Sequence, residues 1–389
     1  MSSSNRQSSE PAGSLETLAQ LRSALNSVMA LESHTSLEGG AYEFRGRLVV
    51  DSEQAFDHIY ERFTAAGYTP MLMRKGEQEI VVARRGVVRP SPTNPRTNVI
   101  LLVLTILSTL FVGMGYGNLA LDAELRRNPD ILSVLAQKPG YLLDGLPYAL
   151  TLLGILGIHE MGHYVLARIH KAAVTLPYFI PMPFGLGTMG AVILLRSPIK
   201  NRRQLFDIGV AGPLAGLAVA IPLLLVWLAT SPVEFVGRPI PGGQEGNSIL
   251  YLLLKLLVHG RILPGGGYDV ILNAIAFPAW FGLFITSLNL LPIGSLDGGH
   301  VTYAVFGQRQ WRIARGAWLA MLIGGGLLLL TRTDLGLNVW LLWALLVQMF
   351  GMLHPPPLDD ITPLDPRRRA LGIFTMILFV LLIVPIPFS

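Results

Sequence analysis

Between residues 98 and 387 the sequence returns again and again to apolar stretches close to the ~20 residues that a helix needs to cross a hydrocarbon core. Seven of them can be marked, at 98–117, 145–169, 207–229, 270–291, 312–330, 336–353 and 370–387. At that depth no water satisfies backbone N–H and C=O groups, so such segments are confined to helices that close their own hydrogen bonds. Composition agrees: 51% of the 389 residues are hydrophobic and 14% charged, which excludes an ordinary soluble domain. The expected fold class is a polytopic all-α membrane protein of about seven transmembrane helices. A re-entrant β-hairpin loop and a small α+β cytoplasmic N-terminal domain complete it.

The N-terminal part reads differently. Residues 1–13 form a polar tail expected to be disordered, with neither a secretory signal nor a transit peptide. LETLAQLRSALNSVMALE (15–32) has helical periodicity, FRGRLVV (44–50) reads as a strand, and residues 51–67 as a helix capped by Asp51 or Ser52. A two-strand hairpin follows at 68–76 and 78–86. Residues 14–86 are thus expected to form the small domain, 87–97 a proline-rich linker, and 98–389 a membrane domain with its core at 145–310. His34 and His58 stand isolated and are read as surface residues.

Charge carries orientation. The chain has 30 Lys and Arg against 25 Asp and Glu, a net charge of +5. Its basic clusters are Arg74, Lys75, Arg84, Arg85, Arg89 and Arg96; Arg168, Lys171, Arg196, Lys200, Arg202 and Arg203; Arg309, Arg312 and Arg315; and Arg367 to Arg369. With seven spans all four lie on one side, which the positive-inside rule makes cytoplasmic, the N-terminus with them. Basicity is then an orientation signal, and no nucleic-acid partner is expected. The multi-pass protein is assigned to the plasma membrane of a prokaryote, or to a plastid membrane. No cysteine is present, so disulfides and thiolate metal sites are excluded, and a metal must use His, Asp or Glu.

The second apolar segment contains GILGIHEMGHYVLARIH, residues 154 to 170. On a helix His159 and His163 are one turn apart on one face, so both imidazoles can reach a single ion, and Glu160 stands beside them as a general base. Each ionisable group at bilayer depth costs about 2.5–3.5 kcal/mol on insertion scales, so three in one turn call for a function. A third ligand is expected from another span at matching depth. SLNLLPIGSLDGGH (287–300) supplies Asp297, after a break at Pro292 and Gly294 that could turn its carboxylate back toward the two histidines. The competing use of Asp297 is to cap the short helix that follows. Two histidines, a carboxylate and one open position make a catalytic zinc site for one Zn2+ ion.

HEMGH, GPLAG and NLLPIGSLDGGH, in that order on successive spans, resemble the site-2 protease family of intramembrane zinc metalloproteases, peptidase family M50, over roughly residues 145–310. The resemblance implies His159, His163 and Asp297 as zinc ligands and Glu160 as general base. Asn289 is implied as a polar partner of the bound peptide or of the oxyanion. It further implies zinc metalloendopeptidase activity on transmembrane segments of membrane proteins, single-span ones above all, cut near the cytoplasmic face in regulated proteolysis. The partners are therefore those substrates and the lipid bilayer. Residues 230–268, about 40, are too few for the PDZ domain that many bacterial members carry, which aligns the chain with the PDZ-less branch. SILYLLLKLLVHG (248–260) in that connection reads as a short amphipathic segment at the membrane interface.

TMGAVILLRS (188–197) reads as a strand or hairpin dipping beside the site, and the family has a comparable loop. A protease needs its substrate extended, and an edge strand can pair with it, which makes Thr188, Met189, Gly190, Ala191 and Val192 the expected substrate-binding residues. GLGTMG (185–190) is rejected as a dinucleotide fingerprint because no strand–helix unit surrounds it. Gly212 and Gly216 are read as a close helix-packing face. His300 is read either as a residue supporting the metal ligands from behind or as a helix-cap histidine, and the cluster His354, Asp359 and Asp360 and the span-end residues His170 and His259 as interfacial residues. Two other classes compete: a membrane zinc transporter, and a protease-like scaffold that binds without cutting.

Overall fold

The computed structural model describes residues 12–88, 94–116, 118–236, 245–272, 275–331 and 338–387. Residues 1–11 of the expected tail and 89–93 of the expected linker, Arg89 among them, lie outside the described residues. The chain divides into two compact units. One comprises Met1–Pro90, Ser197–Leu205 and Pro355–Asp365; the other holds Ser91–Arg196, Phe206–His354 and Pro366–Ser389.

The first unit is built from α1 (Ala12–Asn26), β1 (Met29–Leu37), β2 (Ala41–Leu48), α2 (Ser52–Ala65), β3 (Tyr68–Lys75) and β4 (Gln78–Arg85). Its antiparallel sheet has the order β1-β2-β4-β3. The helix expected over 15–32 stops at Asn26, because Met29 to Leu37 pair with β2 from Met29↔Leu48 to Leu37↔Ala41. Tertiary pairing there overrides local helical preference. Alternation along β2 and β4 turns Tyr42, Phe44, Val81 and Ala83 toward Phe56, Ile59 and Phe63 of α2 and Leu21 and Leu25 of α1. As expected, Asp51 caps α2, its side chain accepting from the Glu53 N–H, and Gly67 at φ +83° follows the helix end.

Edge strand β3 is not bare. The Leu72 N–H donates to the Leu358 carbonyl at 2.6 Å and the Asp360 N–H donates back to the Leu72 carbonyl at 2.9 Å. A further segment continues the pairing: Leu358 donates to Ile199 at 3.0 Å and Asp359 to Lys200 at 2.7 Å. Side chains secure both segments, with Arg203 on Glu53 at 2.8 Å, Arg202 on Asp360 at 3.0 Å and the Lys200 ammonium over the Tyr60 ring at 4.4 Å. Asp359 is 1% exposed; burial pushes its carboxyl above the usual carboxylate range, opposed by bonds from Thr362 and Ile361 and by Arg202.

The second unit is mostly helical. It starts with α3 (Pro95–Gly113), capped by the Asn94 side chain with Pro95 in the first turn. Then come α4 (Leu119–Arg127), α5 (Ile131–Gln137), α6 (Tyr141–Asp144), α7 (Leu146–Ile169), β5 (Tyr178–Pro181), β6 (Thr188–Val192), α8 (Arg202–Thr230), which begins in the first unit, and β7 (Val233–Phe235). After these lie α9 (Ile249–His259), β8 (Tyr268–Val270), α10 (Ala276–Asn289), α11 (Asp297–Phe306), α12 (Gln310–Thr331), α13 (Val339–Phe350) and α14 (Pro366–Leu382). Among the described residues four helical stretches are long and apolar enough to cross a membrane: α3, α7, α8 and Asp297–Leu330. The remaining expected spans coincide with α10, α13 and α14, of 14, 12 and 17 residues. The expected span at 270–291 is shortened at its start, where Val270 ends β8 by pairing with Val233 of β7.

Helices α7, α8 and α10 enclose the core around Leu152, Ile155, Leu217, Trp280 and Phe284. Gly162 of α7 lies so near α8 that an added Cβ would come within 2.6 Å of the Ala211 carbonyl oxygen. On α9, Lys255 does not reach for an interface: it is fully buried, bonds Asp269 at 2.9 Å, approaches Glu245 at 3.4 Å and lies over the Tyr251 ring.

Candidate metal centre

Three side chains from two helices converge in the second unit. His159 and His163, one turn apart on α7, are both buried, and their Nε2 atoms lie 3.2 Å from each other. Asp297 opens α11, where Leu296 rather than Asp297 occupies the cap position and no side chain caps the helix. Its carboxylate faces the histidines instead, Oδ2 at 3.2 Å from His159 Nε2 and Oδ1 at 3.3 Å from His163 Nε2.

The local sequence explains why Asp297 arrives there. Pro292 interrupts the apolar run after α10, and Gly294 turns the chain at φ +53°, packed so tightly on Gly351 that no Cβ fits. The Gly294 N–H donates to the Met352 carbonyl at 3.2 Å, which fixes the turn from outside. Gly298 and Gly299 lie against the carbonyls of Leu290 and Gly294, so the first turn of α11 folds back over the end of α10.

The donor set fits a zinc ion. His163 Nδ1 stands 2.6 Å from the Ile208 carbonyl oxygen, which can only accept, so Nδ1 carries a proton and the neutral imidazole offers its lone pair at Nε2. Nε2 faces a second imidazole nitrogen and a carboxylate oxygen, three donor atoms that one cation between them would satisfy together. Tetrahedral zinc with bonds of about 2.0–2.2 Å holds its ligand atoms about 3.3–3.6 Å apart, close to the 3.2 Å between the two Nε2 atoms and the 3.2 and 3.3 Å from them to Oδ2 and Oδ1 of Asp297. The three donors are the His–His–Asp group whose ligand atoms all lie within 4.8 Å of one another.

Around them is a cavity of about 380 Å³, lined among the described residues by Glu160, Asn289, His300 and the strand segment Ala191 to Leu195, and by no Lys or Arg. Glu160, next to His159 on α7 and 7% exposed, accepts a hydrogen bond from the Ile193 N–H. The Asn289 amide at the end of α10 is 3.3 Å from His159 Nε2. Of the five residues expected to bind substrate, Ala191 and Val192 line this cavity; Thr188, Met189 and Gly190 do not. The Thr188 hydroxyl is tied to the Ile180 carbonyl at 2.9 Å, and the Met189 side chain is 71% exposed. The backbone that lines the cavity therefore runs from 191 to 195, the end of β6 and the three residues after it, toward the C-terminus of the expected residues.

Two site contributions escaped sequence reasoning. Gly212 and Gly216 face the imidazoles rather than another helix backbone: a Cβ at Gly212 would overlap the His163 ring, and one at Gly216 would come within 3.2 Å of His159 Nδ1. Both lie one turn apart in α8, at the same spacing as the histidines, and that match was the available signal. The other is a histidine pair, His300 Nδ1 to His354 Nε2 at 2.6 Å with the His354 ring stacked on Tyr303. His170, read as interfacial, lies 2.8 Å from Asp207, which also receives two bonds from Arg368.

Comparison with known proteins points the same way. Residues 147–331, which contain all three donors, match the sequence profile of peptidase family M50. The chain is 28% identical over 370 residues to "Probable zinc metalloprotease EGY2, chloroplastic" of Arabidopsis thaliana, covering 92% of this chain and 62% of that protein. It is 30% identical over 332 residues to "Probable zinc metalloprotease EGY1, chloroplastic" of Oryza sativa subsp. japonica, covering 78% and 53%. The chain thus spans between half and two thirds of the length of these relatives.

Proposed function

The chain belongs to peptidase family M50, and from that premise we propose that it is a zinc-dependent endopeptidase that cuts transmembrane segments of membrane proteins. One observation carries the reading: two imidazole nitrogens and a carboxylate converge at zinc-ligand spacing, with a second carboxylate, Glu160, beside them in the same cavity. His159, His163 and Asp297 would hold the ion. Zinc bound there would supply a Lewis acid that polarises the scissile carbonyl and eases deprotonation of water.

The protein's own groups do the rest. Glu160 takes a proton from the attacking water and returns it to the leaving amine. The Asn289 amide donates to the carbonyl oxygen as charge develops on it. The segment at 191–195 pairs with the substrate and holds it extended, because a helical peptide bond is enclosed by its own hydrogen bonds. The Ile193 N–H on Glu160 keeps that segment within reach of the reacting bond.

The reading extends to cellular setting. We place the protein as a multi-pass enzyme of about seven spans, with residues 14–86 as a cytoplasmic domain and the β5–β6 hairpin re-entrant beside the site. Single-span proteins cut near the cytoplasmic face are its substrates, and a prokaryotic plasma membrane or a plastid membrane its location. In support of the topology, the connections before α8 and before α14 carry basic clusters and contribute to the same unit as residues 15–88.

The test uses the purified full chain and a co-reconstituted single-span substrate. Glu160→Gln is expected to keep zinc while cleavage falls by about 10²–10⁴-fold; His159→Ala loses both. Full cleavage by Glu160→Gln contradicts the assigned base. Zinc moved across liposomes with nothing cut makes the site a transporter's.

A further inference from the structure

The segment at 191–195 is useful only if it stands at a fixed height against Glu160, and the hairpin that carries it is short. β5 and β6 pair over Tyr178↔Val192, Phe179↔Ala191 and Pro181↔Thr188, with a register shift between Phe179 and Pro181. Such a ribbon is marginal in isolation. What holds it is the polar face of α3, a helix whose buried residues are Asn98, Thr105, Ser108, Thr109 and Gly113 in an otherwise apolar sequence.

Those polar groups divide into two kinds. Thr105 and Thr109 close on their own helix, donating to the Leu101 and Thr105 carbonyls at 2.7 and 2.8 Å, the usual back-bond of a hydroxyl in an apolar helix. Asn98 and Ser108 bond outward. The Asn98 amide donates to the carbonyls of Leu176 and Pro177 at 2.8 and 3.0 Å, at the base of the hairpin. The Ser108 hydroxyl lies 2.6 Å from the Gly187 carbonyl at its tip, against 3.1 Å to its own helix. Gly187 at φ +85° packs on Thr109 so closely that a Cβ would come within 2.6 Å of the Thr109 Cα. The tip is also tied to the helix bearing both histidines, since the Tyr148 hydroxyl donates to the Leu186 carbonyl at 3.1 Å.

We infer that Asn98 and Ser108 are positioning residues that set the register in which substrate meets the catalytic groups, and so which peptide bond is cut. The inference rests on the endopeptidase reading above. Ten residues apart on α3, the two anchors lie about 15 Å from each other along the helix axis, enough to fix both the height and the tilt of the ribbon. A hairpin freed at either end can slide, and one residue of slip moves a paired strand by about 3.3 Å and turns its side chains over.

The experiment compares wild type, Asn98→Ala, Ser108→Ala and Ser108→Thr, each as the full chain in lipid nanodiscs with one synthetic single-span peptide. Products are mapped by mass spectrometry, and zinc per chain and hydrogen exchange of the 188–195 amides are measured alongside. The expected result is unchanged zinc in all four. Faster exchange at 188–195, kcat lower by about tenfold or more and products displaced by one or two residues are expected in both alanine variants, with wild-type products restored in Ser108→Thr. Cleavage of the same bonds at the same kcat by both alanine variants would overturn the inference, as would loss of zinc in both, which would make the contacts a folding requirement. If wild type binds zinc and cuts nothing, the endopeptidase reading is what fails; unchanged exchange in the alanine variants would then dispose of the anchoring role too.

Discussion

At the scale of single residues, the centre depends as much on atoms that are missing as on those present. Gly212 and Gly216 leave the space that the His163 and His159 rings fill. Gly212→Ala has no room without driving His163 off its bond to the Ile208 carbonyl. Disturbing such a partner commonly costs 10–100-fold in metal affinity, so a zinc titration of Gly212→Ala is expected to show a loss of about that size or greater. Gly216→Ala, needing a shift of a few tenths of an ångström, should lose less. The histidines, Glu160 and Asp297 were legible because an ionisable residue in an apolar run stands out. The glycines were legible only as small residues; spacing shows that something comes close, and the structure shows that it is an imidazole. Backbone-to-backbone approach is made instead by Gly162.

At the scale of elements, apolar run length and periodicity marked the long helices, passed over α4, α5 and α6, and misplaced some ends. The end of α1 and the start of α10 are decided by strand pairing, of β1 with β2 and of β7 with β8, between segments that local sequence cannot bring together. The strands completing the β3 edge were unreadable for the same reason: Leu358 to Asp360 and Ile199 to Asn201 are too short to show alternation. That edge has a measurable consequence. Asp359 binds its proton more tightly in the folded than in the unfolded chain, because burial raises its pKa. Its ionisation therefore costs no stability below the ordinary aspartate range, costs progressively more as pH rises from that range to the raised value, and is fully felt above it. Asp359→Asn removes this pH-dependent cost, so the difference in thermal unfolding midpoint between variant and parent is expected to be more favourable to the variant at pH 7 than at pH 4. A difference independent of pH would contradict the assignment. The polar face of α3 was available in the sequence, since Asn98, Thr105, Ser108 and Thr109 fall within about 100° of one another at 3.6 residues per turn, yet only the carbonyls of the hairpin explain it.

At the scale of the whole molecule, the N-terminal sequence read as a self-contained domain, whereas the compact unit it belongs to includes two segments from the membrane-associated part of the chain. Those segments lie in loops that the basic residues assign to the cytoplasm. The absence of cysteine makes the topology open to single-cysteine labelling. In intact cells, Cys at position 61 of α2 (Glu61→Cys) is expected to react with an impermeant maleimide only after permeabilisation. Cys at position 122 of α4 (Asp122→Cys) should react from outside; the reverse pattern would invert the orientation.

The central claim, that α7 and α11 together hold one zinc ion, is tested most directly by measuring zinc bound per chain in wild type, His159→Ala and Asp297→Asn purified in parallel. The account predicts one ion in wild type, none retained by His159→Ala after dialysis, and weakened retention in Asp297→Asn. A full equivalent of zinc in both variants would contradict it.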